Sequence, residues 1–287
     1  MRIQNNGCGI QSTVIFLMSH EGLIEPPIDH SIFADTGEEP EAVYEHLKWL
    51  RTVPEPVPLL HVGTKGKLGD DLMKGENSTG QRFASIPAYT APDERPDDWR
   101  EGQVRRQCTK EYKIEVIWKI IRETILGLRR KQRRPKNVPI TQIFGISWDE
   151  RIRAVAIEKR VTEEGMKAEF PLIERHMTRY DCKEWLKSRV PHEVPRSACV
   201  FCPYKRASEW LKTKANPKEW ARVLEIDAAL RTPGTIVNRN MDQKLYLHRL
   251  CLPMVDIDFE AEARKEAERK WAPLFDIDDC GEGLCGV

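Results

Sequence analysis

The chain lacks any uninterrupted apolar run approaching the ~20 residues that a membrane-spanning helix requires. Nor does it open on a leader pattern of charged, apolar and cleavable segments, so a cytoplasmic, membrane-free protein is expected. It also lacks an excess of one charge. Lys and Arg number 46 against 45 Asp and Glu, a formal net charge of +1, so no global field selects a nucleic-acid or membrane partner. No internal repeat is visible, which excludes solenoid architectures. A disulfide framework is equally out of place. Eight cysteines in a cytosolic chain point instead to metal, cluster or thiol chemistry.

What is present begins at once. Asn6-Gly7-Cys8-Gly9-Ile10-Gln11-Ser12-Thr13 is a glycine-bearing turn between a short strand and the apolar run Val14-Ile15-Phe16-Leu17-Met18. A strand, a glycine turn and a helix opening on Ser/Thr form an anion-binding arrangement. Glycine lets backbone approach a phosphate, and the first helical N–H groups point at it. The backbone of Gly7, Cys8, Gly9 and Ile10, with Gln11, Ser12 and Thr13, is therefore the candidate phosphate seat. Cys8 reads either as a reactive thiol, activated by the helix N-terminus, or as a small packing residue.

The alternation continues with a buried-type strand over 31–34 ending at Asp35-Thr36-Gly37, a helix over 40–50 and a strand over 57–62. This order predicts an α/β fold with a mostly parallel sheet flanked by helices. Its ligand sits at the carboxyl ends of strands, where the glycine loop and Asp35-Thr36-Gly37 both fall. Asp35 and Thr36 would contact ribose or the adenine edge, position an ion, or cap the next helix. Residues 63–102 carry little periodicity and read as a segment closing over the ligand or as a surface loop. A long helix is expected over 104–128, a strand over 141–146, and a helix opening at Thr178. Further helices are expected over 207–214, 218–230 and 259–271. The basic stretch 129–136 reads as a solvated loop or a phosphate contact. The chain length suits a nucleotide-binding domain over 1–235 and an extension with a Cys-bearing tail over 236–287.

Several separated segments resemble one superfamily. Gly9-Ile10-Gln11-Ser12 is similar to the modified phosphate loop of phosphoadenosine-phosphosulfate (PAPS) reductases, relatives of the PP-loop ATP pyrophosphatases. Phe33-Ala34-Asp35-Thr36-Gly37 with Glu41 and Tyr44 resembles their DTG segment. Cys108 with Lys113 resembles their Cys-x-x-x-x-Lys approach to the central helix, and Gly145-Ile146 with Asp149, Glu150 and Arg153 their strand-end stretch. Cys199-Val200-Phe201-Cys202 resembles the iron–sulfur CxxC of the adenylyl-sulfate (APS) branch. The resemblance implies an adenine nucleotide alpha-hydrolase-like fold with a helical C-terminal extension, and an enzyme using ATP–Mg or an adenylyl sulfonucleotide. Gln11, where a pyrophosphatase carries Asp, leans toward the reductase side. A single Cys108 and the tail Asp279-Cys280-Gly281-Glu282-Gly283-Leu284-Cys285 depart from the reductase pattern.

Two thiolates from one CxxC turn and a third from Cys108 make three corners of a tetrahedral site, suited to a [4Fe–4S] cluster or zinc. The resemblance favours the cluster. Cys182 is either the fourth ligand or core, since Cys182, Trp185 and Leu186 share a helical face. Lys113 and Arg153 are candidates to neutralise ligand charge. Cys280 and Cys285 are expected as mobile tail nucleophiles, and Cys251 as core. The leading expectation is a reductase-like enzyme. The alternatives are an ATP-dependent sulfurtransferase acting on a nucleic acid, supplied by a sulfur- or electron-donor protein, and a zinc-stabilised nucleotide-binding regulatory module.

Overall fold

The computed structural model describes residues 1–75, 86–92, 94–96, 98–129, 132–135, 137–232 and 243–269. In chain order the elements are β1 (Arg2–Asn6), α1 (Ile10–His20), β2 (His30–Asp35), α2 (Glu41–Leu50), β3 (Leu59–Thr64), α3 (Leu68–Lys74), β4 (Tyr89–Ala91) and β5 (Gly102–Gln103). A continuous helical segment follows, π-helical over Thr109–Ile114, α-helical over Glu115–Lys119 (α4) and π-helical again over Ile120–Ile125. Then come β6 (Thr141–Phe144), a 3-10 turn (Trp148–Glu150), α5 (Ile152–Glu163), β7 (Lys167–Glu169), α6 (Pro171–Glu174), α7 (Arg179–Leu186), α8 (Ala207–Ala215), α9 (Pro217–Arg231), β8 (Lys244–Tyr246) and α10 (Phe259–Arg269).

The main sheet has the order β3-β2-β1-β6-β7, with every neighbouring pair parallel. Its central strand is unexpectedly polar: Gln4, Asn5 and Asn6 are all buried. Buried amides require partners, and the neighbours supply them. Gln4 Nε2 donates to the Ser12 carbonyl at 2.6 Å, Asn5 Nδ2 to Gln142 Oε1 at 3.1 Å, and Asn6 Nδ2 to Ser31 Oγ at 3.0 Å. These bonds tie the loop-bearing strand to both flanking strands and to the first turn of α1.

Apolar pattern sets the layers. Every residue from Ile10 to Ser19 in α1 is buried, the mark of a helix covered on all sides. It packs with Val43, Leu47, Leu172, Cys182 and Leu186 on one face of the sheet. Val116, Ile117, Ile120 and Ile121 pack with Ile157 and Val161 on the other. A third apolar cluster joins Tyr112, Val200 and Phe201 to Trp210, Val223, Ile226 and Phe259. It is closed by the antiparallel sheet β5-β4-β8. Among the described residues no helix is long and apolar enough to cross a membrane.

Several boundaries differ from the pattern-based reading. The strand expected over 57–62 is displaced to Leu59–Thr64, and the one expected over 141–146 ends at Phe144. The described part of 63–102 contains α3, β4 and the start of β5, each too short to show a period in sequence. Residues 130, 131 and 136 of the basic stretch lie outside the described residues. Arg134 of that basic stretch donates to the Gly165 carbonyl at 2.6 Å, so it fastens the turn between α5 and β7.

Candidate functional site

In the order β3-β2-β1-β6-β7 the chain winds outward in opposite directions from β1 and β6. The crevice beyond the carboxyl ends of that strand pair is where open α/β sheets take ligands. Asn6–Gly9 leaves β1 there and Gly145–Ser147 leaves β6. Within the first loop Cys8 holds a left-handed backbone (φ 52°), uncommon outside glycine. Asn6 Oδ1 steadies it by accepting the Cys8 N–H at 2.7 Å. Gly9 caps α1: the Ser12 hydroxyl accepts the Gly9 N–H at 3.0 Å and donates to the Gly9 carbonyl at 3.1 Å. The first turn of α1 carries no acidic residue, so its N-terminal partial positive charge is not offset from within the helix.

The Gly145 stretch lies directly on this turn. A Cβ at Gly145 would come within 2.9 Å of the Ser12 nitrogen and 3.1 Å of the Gln11 carbonyl carbon; only glycine permits that approach. Gln11 Nε2 donates to Glu150 Oε2 at 2.8 Å, and the Ser147 hydroxyl donates to the same oxygen at 3.2 Å. The other Glu150 oxygen pairs with Arg153. Gln11, Ser147, Glu150 and Arg153 are thus gathered into one network. Thr13 is fully buried. Its hydroxyl lies 2.8 Å from His46 Nε2, and His46 Nδ1 lies 2.9 Å from His192 Nε2. Burial, then the neighbouring His192, lowers the His46 pKa to about 4.

At the end of β2, Asp35 Oδ1 accepts the Gly37 N–H at 2.7 Å and the Tyr44 hydroxyl at 3.0 Å, so Asp35 shapes the turn into α2. Burial, then Asp35, pushes the Tyr44 phenol up. The Thr36 hydroxyl stands 3.2 Å from Cys199 Sγ and donates to Glu39 Oε1 at 3.4 Å. The other Glu39 oxygen accepts the Ser197 hydroxyl at 3.0 Å, and Lys113 Nζ lies 3.5 Å from Oε1. The loop bearing Ser197 and the CxxC also crosses the glycine turn: a Cβ on Gly9 would sit 3.9 Å from the Pro195 carbonyl oxygen. Glu39 therefore joins the strand end, the π-helical turn and the CxxC loop.

Cys199 and Cys202 share one turn, the Cys202 N–H donating to the Cys199 carbonyl at 2.9 Å. Cys108 immediately precedes the π-helical turn and packs with Cys199 against the same apolar cluster. Cys182 is elsewhere. It is fully buried against α1 in the opposite cluster, its thiol pushed up to about 12 by burial and then by Asp149. Cys8 is also fully buried. Of the two readings of Cys8, burial goes with the packing residue: desolvation, then Glu39, pushes its thiol up because burial penalises the charged form. Burial and Glu39 raise Cys199 likewise. Among the described residues no group of three or more His, Cys, Asp or Glu side chains is arranged to hold a metal ion. Cys251 is buried beside Ala91 and Tyr246, as expected of a core residue. Cys280 and Cys285 lie outside the described residues.

Beside the loop, a cleft of about 650 Å³ opens between the start of α2, α7, residues 193–198 and α8, with Ile10 on its wall. Sequence reading passed over Glu39, Ser197, His46 and His192. His46 could have been found, since Val43, His46, Leu47 and Leu50 fall at helical spacing on the buried face. Glu39 sits in Glu38-Glu39-Pro40, which reads as a solvated turn; only its fully buried carboxylate identifies it. No protein-family model, curated protein or solved structure matches the chain.

Proposed function

We propose that this chain binds an adenine nucleotide beyond β1 and β6 and uses it in sulfur-centred chemistry, as the resemblance to PAPS reductases and PP-loop enzymes suggests. The observation that carries this reading is the contact chain Lys113–Glu39–Thr36–Cys199. It connects the π-helical turn and the end of β2 to the CxxC through a buried carboxylate. In this reading the backbone of Gly7–Ile10 and Ser12 cradle phosphate, and Gln11 orients it from the β6 side. Lys113 and Arg153 each already face a carboxylate, so an incoming anion would compete for them. Thr13 contributes through packing, and Asp35 and Gly37 through the turn they build.

Thiols are donors that suit a soft metal: Cys108 and Cys199, from two segments, pack against one apolar cluster, and Cys202 shares the turn of Cys199. These three residues would hold a [4Fe–4S] cluster, or zinc as the alternative, and Cys182 stays in the α1–α7 core. A cluster would supply electron transfer or a sulfide-binding iron. Under the reductase-like reading, a tail thiol of Cys280 or Cys285 attacks the sulfonucleotide sulfur and displaces the nucleotide. One observation favours the ATP-dependent sulfurtransferase as a second reading: the cleft at Ile10 leaves room for an acceptor beside the nucleotide.

Anaerobically purified full-length protein should be brown and should bind ATP–Mg, APS or PAPS in calorimetry. With a dithiol reductant present to release sulfite from the Cys–S–SO3 adduct, sulfite formed from APS or PAPS supports the reductase reading, and pyrophosphate released from ATP only with an acceptor supports the transferase. Colourless, zinc-filled protein that binds none of the three nucleotides would refute both.

A further inference from the structure

We infer that the hydrogen-bonded series Thr13–His46–His192 is a proton-driven switch on the first turn of α1, through which an exposed histidine regulates anion binding at the glycine loop. That regulation rests on reading the 6–13 loop as the nucleotide seat; the switch itself rests on side-chain geometry. Thr13 is fully buried in α1, its hydroxyl 2.8 Å from His46 Nε2. His46 of α2 is fully buried as well, its Nδ1 2.9 Å from His192 Nε2. His192, between α7 and α8, is exposed. The Trp49 ring stacks on His46 and meets His192 edge-on, its centroid 5.5 Å from each. The series thus runs from the surface to the turn that follows the glycine loop.

A neutral imidazole donates from one ring nitrogen and accepts at the other, so the series has two consistent directions. In the outward one, the Thr13 hydroxyl donates to His46 Nε2, and His46 Nδ1–H donates to His192 Nε2. In the reverse, His192 Nε2–H donates to His46 Nδ1, and His46 Nε2–H donates to the Thr13 oxygen. Among the described residues His46 is the one side-chain partner of the Thr13 hydroxyl, and a buried hydroxyl needs an acceptor. The fold therefore satisfies the outward direction. Protonated His192 carries hydrogen on both nitrogens and cannot accept, so it enforces the reverse.

Reversal sends the Thr13 hydrogen elsewhere. A threonine inside a helix donates to the carbonyl four residues back, here that of Gly9. Both lone pairs of that carbonyl are already taken, by the Thr13 N–H at 2.9 Å and the Ser12 hydroxyl at 3.1 Å. The Ser12 hydroxyl must then leave, and an anion at the loop is the acceptor that receives it. A proton on His192 and an anion at the loop thus favour each other, and the coupling is reciprocal. His46 stays neutral throughout, since burial and then His192 lower its pKa to about 4. Charges on the surrounding elements are matched: Glu45 with Lys48 on α2, Glu193 with Lys212, and Glu21 with Arg189. Only His192 acts electrostatically on His46.

The test uses the full chain carrying nitrogen-15 histidine, two-bond proton–nitrogen correlation spectra that read each tautomer, and ATP–Mg calorimetry between pH 8 and 5.5. His46 should pass from the Nδ1–H to the Nε2–H tautomer in step with protonation of His192. His192→Ala, at an exposed position and checked for an unchanged Tm, should abolish that passage. ATP–Mg affinity, taken relative to His192→Ala so that the nucleotide's own titration cancels, should rise roughly fivefold as pH falls. Thr13→Val, which removes the hydroxyl, should leave the His46 tautomer free to change but remove the rise. A His46 tautomer that stays fixed while His192 protonates overturns the inference, as does bound ATP whose relative affinity is flat with pH. If ATP does not bind, the nucleotide reading fails, while the His46 tautomer still supports or overturns the switch.

Discussion

The Lys113 ammonium lies 3.5 Å from a Glu39 carboxylate whose side chain is wholly shielded from solvent. The same carboxylate receives the Ser197 hydroxyl, 158 residues further along the chain. One buried charge thus holds β2's exit, the π-helical turn and the CxxC loop in register. Removing it should be costly. Glu39→Ala removes a carboxylate facing a nearly buried ammonium and the acceptor of two hydroxyls, a loss of about 3 kcal/mol. Glu39→Gln keeps acceptors for Ser197 and Thr36 and should lose less. Urea unfolding of both variants checks the order, and an Ala variant as stable as wild type would sink the role assigned to Glu39.

Acid should weaken the fold through His46 and His248. Burial lowers both to about 4 in the folded chain, below the ~6.5 of an exposed imidazole. The unfolded state then binds protons that the folded state excludes. Stability is therefore full above pH ~6.5 and is lost as pH falls toward 4, by up to about 3 kcal/mol for each histidine. Thermal melts between pH 7.5 and 4.5 should show this decline, and His46→Gln should flatten part of it. A Tm that holds steady across that range would contradict the assignment.

Thiol labelling should divide the cysteines. Cys8 and Cys182 are fully buried and their thiols are raised by desolvation, so little thiolate is available to react. Brief iodoacetamide treatment at pH 8 followed by peptide mass spectrometry should leave both unmodified in native protein and label both in urea. Rapid native labelling of Cys8 would restore the reactive-thiol reading.

Gly145→Ala should disturb the loop more than its size suggests. The added Cβ meets backbone at 2.9 Å, so either β6's end or the first turn of α1 must shift, at about 1–3 kcal/mol. Nucleotide affinity should fall with stability, measured by calorimetry and thermal melting. Wild-type behaviour in both would show that the contact can relax.

The layered α/β architecture was legible because its signals are local. Alternating apolar runs and turns in the first third predicted β1 to β3, with β3 displaced by two residues. The N-cap signal at Thr178 appears as a capping box in which Asp181 accepts the Thr178 N–H at 2.8 Å. The glycine loop was legible for the same reason, since a strand, a turn and an apolar helix adjoin in sequence. The fate of particular side chains was not. Thr13 belongs by position to the loop but by contact to His46, and Cys182 has a helical spacing that suits either core or ligand until α1 is seen packed upon it.

By itself the sequence determined the strand–helix alternation of the first third, the glycine turn and the places where thiols stand, because these depend on backbone preference and local periodicity. Tertiary structure alone decided which charges are buried and which segments meet. Whether a helix N-terminus activates Cys8 or desolvation silences it depends on how many atoms surround the sulfur. Likewise, the bond from Glu39 to Ser197 exists only because β2 and the CxxC loop arrive at one edge of the sheet.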